Sequence, residues 1–288
     1  MNRTIENEFL RVEVKEHGAE LTGVKNKRGY EYIWQGDEKF WAKQCPVLFP
    51  ICGRLHDKTY RYNGKTYKME SHGFASRCDF ASENVSGTEM VFTLKENAET
   101  LAQYPFKFTF SVRFKLENDC LITEYKVENT DDKPIYFNFG SHEAYRTEGA
   151  FSDWSIEFEK EEDLYVKVQP VSGFLNGERK LYKPAVKDLV MGPEHFEEDS
   201  LIFDGLQSKE VTLKRRGEKV VTVYFDEFEN LLVWTKVGAP YLCIEPWNGI
   251  PDYYKFDGDL SEKHGVIRLE SGKSFAGMHK IRFYDVKF

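Results

Sequence analysis

Four short polar stretches, set among aromatics and glycines, hold the side chains that could do chemistry: Arg54 in FPICGRLHDKTY, His72 in SHGFASRCDF, His142 in FNFGSHEAYR and Glu245 in YLCIEPWNGIPD. Glu245 follows the apolar run Tyr241-Leu242-Cys243-Ile244 and precedes Pro246-Trp247, which places a carboxylate at the end of a buried strand beside an indole. Burial raises a carboxyl group's pKa toward neutrality, as a general base requires, and neighbouring donors can hold it ionised. The same position also suits a structural glutamate that accepts backbone hydrogen bonds. His142 comes just after an expected strand over 134–139, where an imidazole can donate a proton near neutral pH or simply be a satisfied structural residue. His72 precedes Gly73, so a turn explains it as readily as catalysis does. Asp199, in FEEDSLIF, opens another strand-like run and reads equally as a solvated acid at the end of the charge run Glu197-Glu198-Asp199.

None of the seven histidines shows the HxH or HxxxH spacing of a local zinc motif, so no metal is expected. There is no GxGxxG before a helix, no Walker loop and no GxSxG elbow, which leaves dinucleotide, nucleotide and serine-hydrolase chemistry without support. Acid–base chemistry without a cofactor remains.

The elements that must position these groups are strands. KFTFSVRFKLEND puts Phe108, Phe110, Val112, Phe114 and Leu116 on one face, and after an Asn118-Asp119 turn CLITEYKVEN resumes the period of two, predicting an antiparallel hairpin. The same pattern predicts hairpins turning near Arg216-Gly217 and near Ser271-Gly272. Helix signals are sparse: ENAETLAQYPF allows two turns before Pro105, and Pro184 and Pro193 break any longer helix over 182–198. Regular strands without alternating helices, and without a linker or tandem repeat, predict an all-β chain: one domain over residues 1–288, built as a large sandwich of antiparallel sheets.

Composition narrows the class further. Of 288 residues 41% are hydrophobic, enough for a large core, and 23 Phe with 16 Tyr favour pleated packing. A net charge of −8 argues against a nucleic-acid partner. The N-terminal stretch lacks the apolar core of a signal peptide and no run reaches membrane-spanning length, so no membrane partner is expected. Five scattered cysteines with no CxxC pair fit a reducing cytoplasm.

Taken in order, GRLHDKTYRYNGKTYKM, SHGFASRCDF, FNFGSH, EDSLIF and CIEPW resemble the aldose 1-epimerase (galactose mutarotase) superfamily over nearly the whole chain, most closely its LacX-like branch. The resemblance implies a β-sandwich of galactose-mutarotase type with an open sugar cleft on one sheet, acting on an aldose or a sugar phosphate. Carried over by position, it makes Glu245 the base and His142 the proton donor. Arg54, His72 and Asp199 become substrate-binding residues, and Trp247 a stacking surface for the sugar. Asp204 lies close enough in sequence to compete with Asp199 for its place. Where the well-studied mutarotases carry Asn-His and an aromatic, this chain has Ser141-His142-Glu143-Ala144-Tyr145.

Three other readings share these residues. A carbohydrate-binding or regulatory module would keep the cleft with weak turnover. A glycosidase would pair Glu245 with Asp199 or Asp252. A sugar-phosphate mutarotase would add Arg77 or Lys43 to Arg54 as a phosphate site.

Overall fold

Alternation in the sequence turns directly into strands. In Phe108–Glu117 every second side chain from Phe108 to Leu116 is buried, and this strand pairs residue for residue with Cys120–Asn129 across the expected Asn118-Asp119 turn. Asn118 takes the left-handed conformation the turn requires, which asparagine tolerates better than most residues. The Arg216-Gly217 hairpin also forms, between Glu210–Arg215 and Glu218–Tyr224.

The computed structural model describes residues 1–286. Among them, the larger sheet has nine strands in the spatial order Arg179–Val190, Trp154–Lys167, Glu210–Arg215, Glu218–Tyr224, Ser274–Phe283, Cys120–Asn129, Phe108–Glu117, Glu89–Lys95 and Ala81–Ser86. The second sheet runs Leu201–Ile202, Asn230–Trp234, Tyr241–Asn248, Phe139–Ser141 and Val47–Leu48, with Glu143–Arg146 continuing along the same edge of Tyr241–Asn248. A three-stranded antiparallel sheet from Asn2–Glu6, Leu10–Lys15 and Glu20–Asn26 packs into the same core.

The two large sheets meet face to face through aromatics. Phe49 stacks on Phe110, with centroids 4.3 Å apart, and Phe139 packs on Tyr125 at 5.4 Å. Each fully buried phenylalanine contributes roughly 2–3 kcal/mol of hydrophobic stabilisation. The fold is therefore an all-β antiparallel sandwich.

Two expectations change. Ser271-Gly272 does turn, yet its flanking strands do not pair. Ser274–Phe283 is a central strand already bonded on both edges, to Cys120–Asn129 and Glu218–Tyr224, so it has no edge left, and Ile267–Leu269 pairs with Ile135–Phe137 instead. Glu245 is also not at a strand end, because Tyr241–Asn248 continues through Pro246 and Trp247. Proline has no N–H to give the ladder, and the neighbouring strand is interrupted beside it, at His142.

Elsewhere the prolines act as read. Pro184 lies within the edge strand Arg179–Val190, and Pro193 opens a single 3-10 turn. The expected short helix is Ala98–Gln103, capped by Asn97, whose side chain accepts the N–H groups of Glu99 and Thr100.

Candidate active site

The strand Tyr241–Asn248 is buried along its whole length, and its alternation divides it between two environments. Leu242 and Ile244 face the main core. Tyr241, Cys243 and Trp247 belong to separate apolar clusters on the opposite face, and Glu245 shares their phase. Register then supplies the partner. Gly140 pairs with Trp247 and Glu143 with Ile244, so His142 falls opposite Glu245. On the other flank Glu245 pairs with Leu232.

The result is a cleft of about 230 Å³ whose lining includes Trp41, Arg54, His72, His142, Asp199 and Glu245. At its floor, Glu245 Oε2 and His142 Nδ1 face each other at 3.4 Å, and neither atom has another hydrogen-bond partner. The two residues are 1% and 8% exposed, so desolvation governs both. Burial, reinforced by the charge of Glu143, holds the Glu245 carboxyl well above its ordinary range, while the nearby Trp247 indole acts in the opposite direction. Burial, reinforced by His72, pushes the His142 imidazole well below its ordinary value. Trp41 lies over the His142 ring with centroids 4.8 Å apart, and Trp234 meets it edge-on at 5.7 Å.

His72 comes from a loop strapped to the segment after Val47–Leu48. Its backbone N–H donates to Gly53 O at 2.9 Å, and its Nδ1 accepts the Gly53 N–H at 3.3 Å. A neutral ring that accepts at Nδ1 carries its proton on Nε2. Burial, helped by the cations Lys43, Arg54 and Arg77, lowers the His72 pKa to about 3, so this histidine is a neutral donor. Its ring lies 5.5 Å from that of His142 and 5.4 Å from that of Trp247.

At the mouth, Arg54 Nη1 donates to Ser172 O at 3.1 Å and Nη2 stands 3.9 Å from Asp199 Oδ2. Asp199 also accepts from the Ser172 hydroxyl and from the Ser200 N–H. Trp247 Nε1 donates to Ser141 O at 3.0 Å, which fixes the indole against the wall.

All six residues singled out in the sequence thus line one cleft. Asp204 does not: it pairs with Lys167 and Arg179 beside a separate depression. Asp252 is also elsewhere, 3.4 Å from Lys263 on the far side of the Arg54 backbone. Trp41, Trp234, Gln169 and Ser200 line the cleft without having been foreseen. Trp234 shares the alternating phase of Leu232, a usable signal, whereas Trp41 sits in irregular chain where no period exists.

Cys243, on the same strand face, brings its sulfur within 4.8 Å of the His142 and Glu245 ligand atoms, but burial keeps its thiol protonated, so it is no ready metal ligand. Among the described residues no helix is long and apolar enough to cross a membrane.

The aldose 1-epimerase profile matches residues 2–281. The chain belongs to the aldose 1-epimerase family. Within this family it is 33% identical to the chromosomal LacX protein of Lactococcus lactis subsp. lactis, over 93% of this chain and 95% of that one. The crystal structure of a galactose mutarotase related enzyme from Lactobacillus acidophilus superposes with a TM-score of 0.93 at 32% identity, covering 99% of this chain and 98% of that one. A galactose mutarotase-like protein from Lactobacillus casei gives 0.94 at 30% identity, covering 99% and 100%. The sandwich is thus of the galactose-mutarotase type, and the family places the chain in the epimerase class, with a sugar as its kind of substrate.

Proposed function

We propose that the chain interconverts the α and β anomers of an aldose or an aldose phosphate, with Glu245 taking the anomeric proton and His142 protonating the ring oxygen. The observation that carries this reading is the buried, cross-strand Glu245–His142 pair, whose facing atoms have no partner but each other.

Ring opening needs a proton to leave the C1 hydroxyl while another reaches the ring oxygen. Glu245 as carboxylate takes the first and His142 as imidazolium gives the second. The C1–O5 bond breaks, the C1–O1 bond becomes a carbonyl, the aldehyde rotates about C1–C2, and the two proton transfers reverse on closure. The pair begins as two charges and ends as a carboxylic acid and a neutral imidazole. Burial favours that uncharged state, so the shared proton must first move to His142, and the transfers that open the ring return the pair to its uncharged form before closure reverses them.

The remaining residues bind. His72, a neutral donor, and Arg54 hold hydroxyl oxygens, Asp199 accepts hydroxyl protons, and Trp247 offers an apolar surface to the sugar face. Arg54 at the cleft, with Lys43 and Arg77 near enough to act on His72, supports an anionic sugar among the substrates. A single domain carries the site, since one core takes side chains from Ile5 to Val286. All five cysteines are free, which suits the reducing cytoplasm.

Anomer exchange followed by NMR, over a panel of aldoses and their 6-phosphates, tests the reading. Acceleration for at least one sugar is expected, whereas sugar binding with no acceleration anywhere on the panel overturns it in favour of a binding module. Asp199→Asn keeps the shape of the side chain and removes its charge. It is expected to raise KM about tenfold with kcat within about twofold, because the interaction is made equally before and during reaction.

A further inference from the structure

Behind the sheet that carries the cleft, the dry interior of the sandwich holds a second ionisable pair. Along Phe139–Ser141 and Glu143–Arg146 the odd-numbered residues point into the core, and Glu143 occupies one of those positions, 3% exposed. Along Ser274–Phe283 the alternate inward positions include His279, 1% exposed. Glu143 Oε1 and His279 Nε2 meet across the sandwich at 2.9 Å. The Ser141 hydroxyl donates to the other carboxylate oxygen at 2.6 Å. Tyr125 stacks on the His279 ring with centroids 5.8 Å apart, and Phe228 meets it edge-on.

An ionisable pair in this position is costly unless it has a purpose, since apolar side chains of similar volume commonly serve a core equally well or better. Its location supplies one. Glu143 directly follows His142 in the chain and pairs across the strands with Ile244, the residue before Glu245. Two residues before Glu143, Ser141 binds the carboxylate through its hydroxyl and Trp247 Nε1 through its carbonyl. Two acid–imidazole pairs therefore lie on opposite faces of the sheet that carries the cleft, one in the cleft and one in the core between the sheets.

We propose that Glu143, faced by His279 and hydrogen-bonded by Ser141, is a positioning residue for the cleft pair: its negative charge, acting through the sheet from the dry side, governs where the proton shared by Glu245 and His142 rests. This deepens the epimerase reading and rests on it. A charge close behind a carboxylate in a medium this poor in water is felt strongly. Glu143 is, after burial, the largest influence holding Glu245 in its acid form. The other titratable groups around Glu143 are the phenols of Tyr125 and Tyr145 and the thiols of Cys45 and Cys243. Burial first, and negative charge after it, keeps all four protonated. His279 is then the basic side chain that faces Glu143.

The experiment labels glutamate carboxyl carbons with ¹³C and follows Glu245 through pH in the intact protein, its resonance identified by its loss in Glu245→Gln, alongside the pH profile of anomer exchange. In Glu143→Gln, which keeps shape and removes charge, the Glu245 titration and the acid limb of exchange are expected to move together to lower pH. The plateau kcat should fall about fivefold as the base weakens, with KM within about twofold. Glu143→Asp, which keeps the charge, should restore the wild-type limb. His279→Gln, which removes that basic side chain, should move both readouts to higher pH. A folded Glu143→Gln protein with both readouts unmoved overturns the proposal. Should that variant not fold, an unmoved Glu245 titration in His279→Gln overturns it instead. Because the carbon resonance is read without turnover, a protein that exchanges no sugar would sink the epimerase reading and still decide this one.

Discussion

Glu245→Gln should slow anomer exchange by about 10²–10⁴-fold while leaving the protein at least as stable as before. The substitution keeps the volume of a residue flanked by strands on both sides and removes the carboxyl to which the proposed mechanism assigns the anomeric proton. Its effect on stability has a definite sign. The carboxyl of Glu245 is held well above its ordinary value in the folded chain, so over the interval between its unfolded and folded pKa values the folded state binds more protons than the unfolded one. Stability then falls as pH rises through that interval. The amide that replaces the carboxyl cannot titrate and feels no such loss. The melting temperature of the variant should accordingly match that of the wild type in mild acid and exceed it progressively as pH rises above the ordinary carboxylate range. Calorimetry at several pH values reads this directly. A gap that stays constant with pH would mean that Glu245 is not the strained acid described here, and full exchange activity in the folded variant would remove it as the base.

The largest structural penalty is expected at Gly73. Its φ is +73°, and a Cβ placed there would stand 2.1 Å from Phe49 O and 2.4 Å from Phe49 C, both backbone atoms that cannot swing aside. The close approach exists because this segment is strapped to its neighbour: the N–H groups of Phe74 and Ala75 both donate to Phe49 O, and that of Phe49 donates to His72 O. Gly73→Ala should cost about 3 kcal/mol or more, combining left-handed strain with an overlap that only backbone movement can relieve. Gly64 makes a matched control, with φ +74° and nothing within 4 Å of the added atom. Gly64→Ala should cost only about 1–2 kcal/mol. Thermal melts of the two variants separate the terms, and equal losses would mean that the Phe49 contact relaxes. Whatever fraction of the Gly73 variant folds should bind sugar poorly, since His72 and Gly53 move with the strap.

How far the sequence anticipates this depends on the range of the interaction involved. The hairpin of Phe108–Glu117 and Cys120–Asn129 is readable because period and turn sit within one short stretch. The chain's last hairpin misleads for the opposite reason. A turn at Ser271-Gly272 says where the chain reverses, not which strands already occupy the edges of Ser274–Phe283. Six of the cleft residues are visible singly, but the meeting of His142 and Glu245 depends on register between segments about a hundred residues apart. Asp199 and Asp204 are inseparable in the sequence because both border the same short strand, and only their partners distinguish them, Arg54 and Ser172 for the first, Lys167 and Arg179 for the second. Glu143 and His279 do leave a signal, each being polar at an inward position of an alternating strand. That signal becomes meaningful only once the two sheets are known to face each other there.

One consequence of the way Glu245 is seated concerns time. Its strand is bonded on both sides and buried along its length, so its amide should exchange with solvent only when the whole sandwich opens. Arg54, Gln169 and Ser200 belong to chain outside those ladders and sample their surroundings many times in that interval. On the proposed mechanism, the groups at the cleft mouth can therefore be fast and forgiving while the pair assigned to proton transfer keeps still, so the first set can be retuned for a new sugar without disturbing the second.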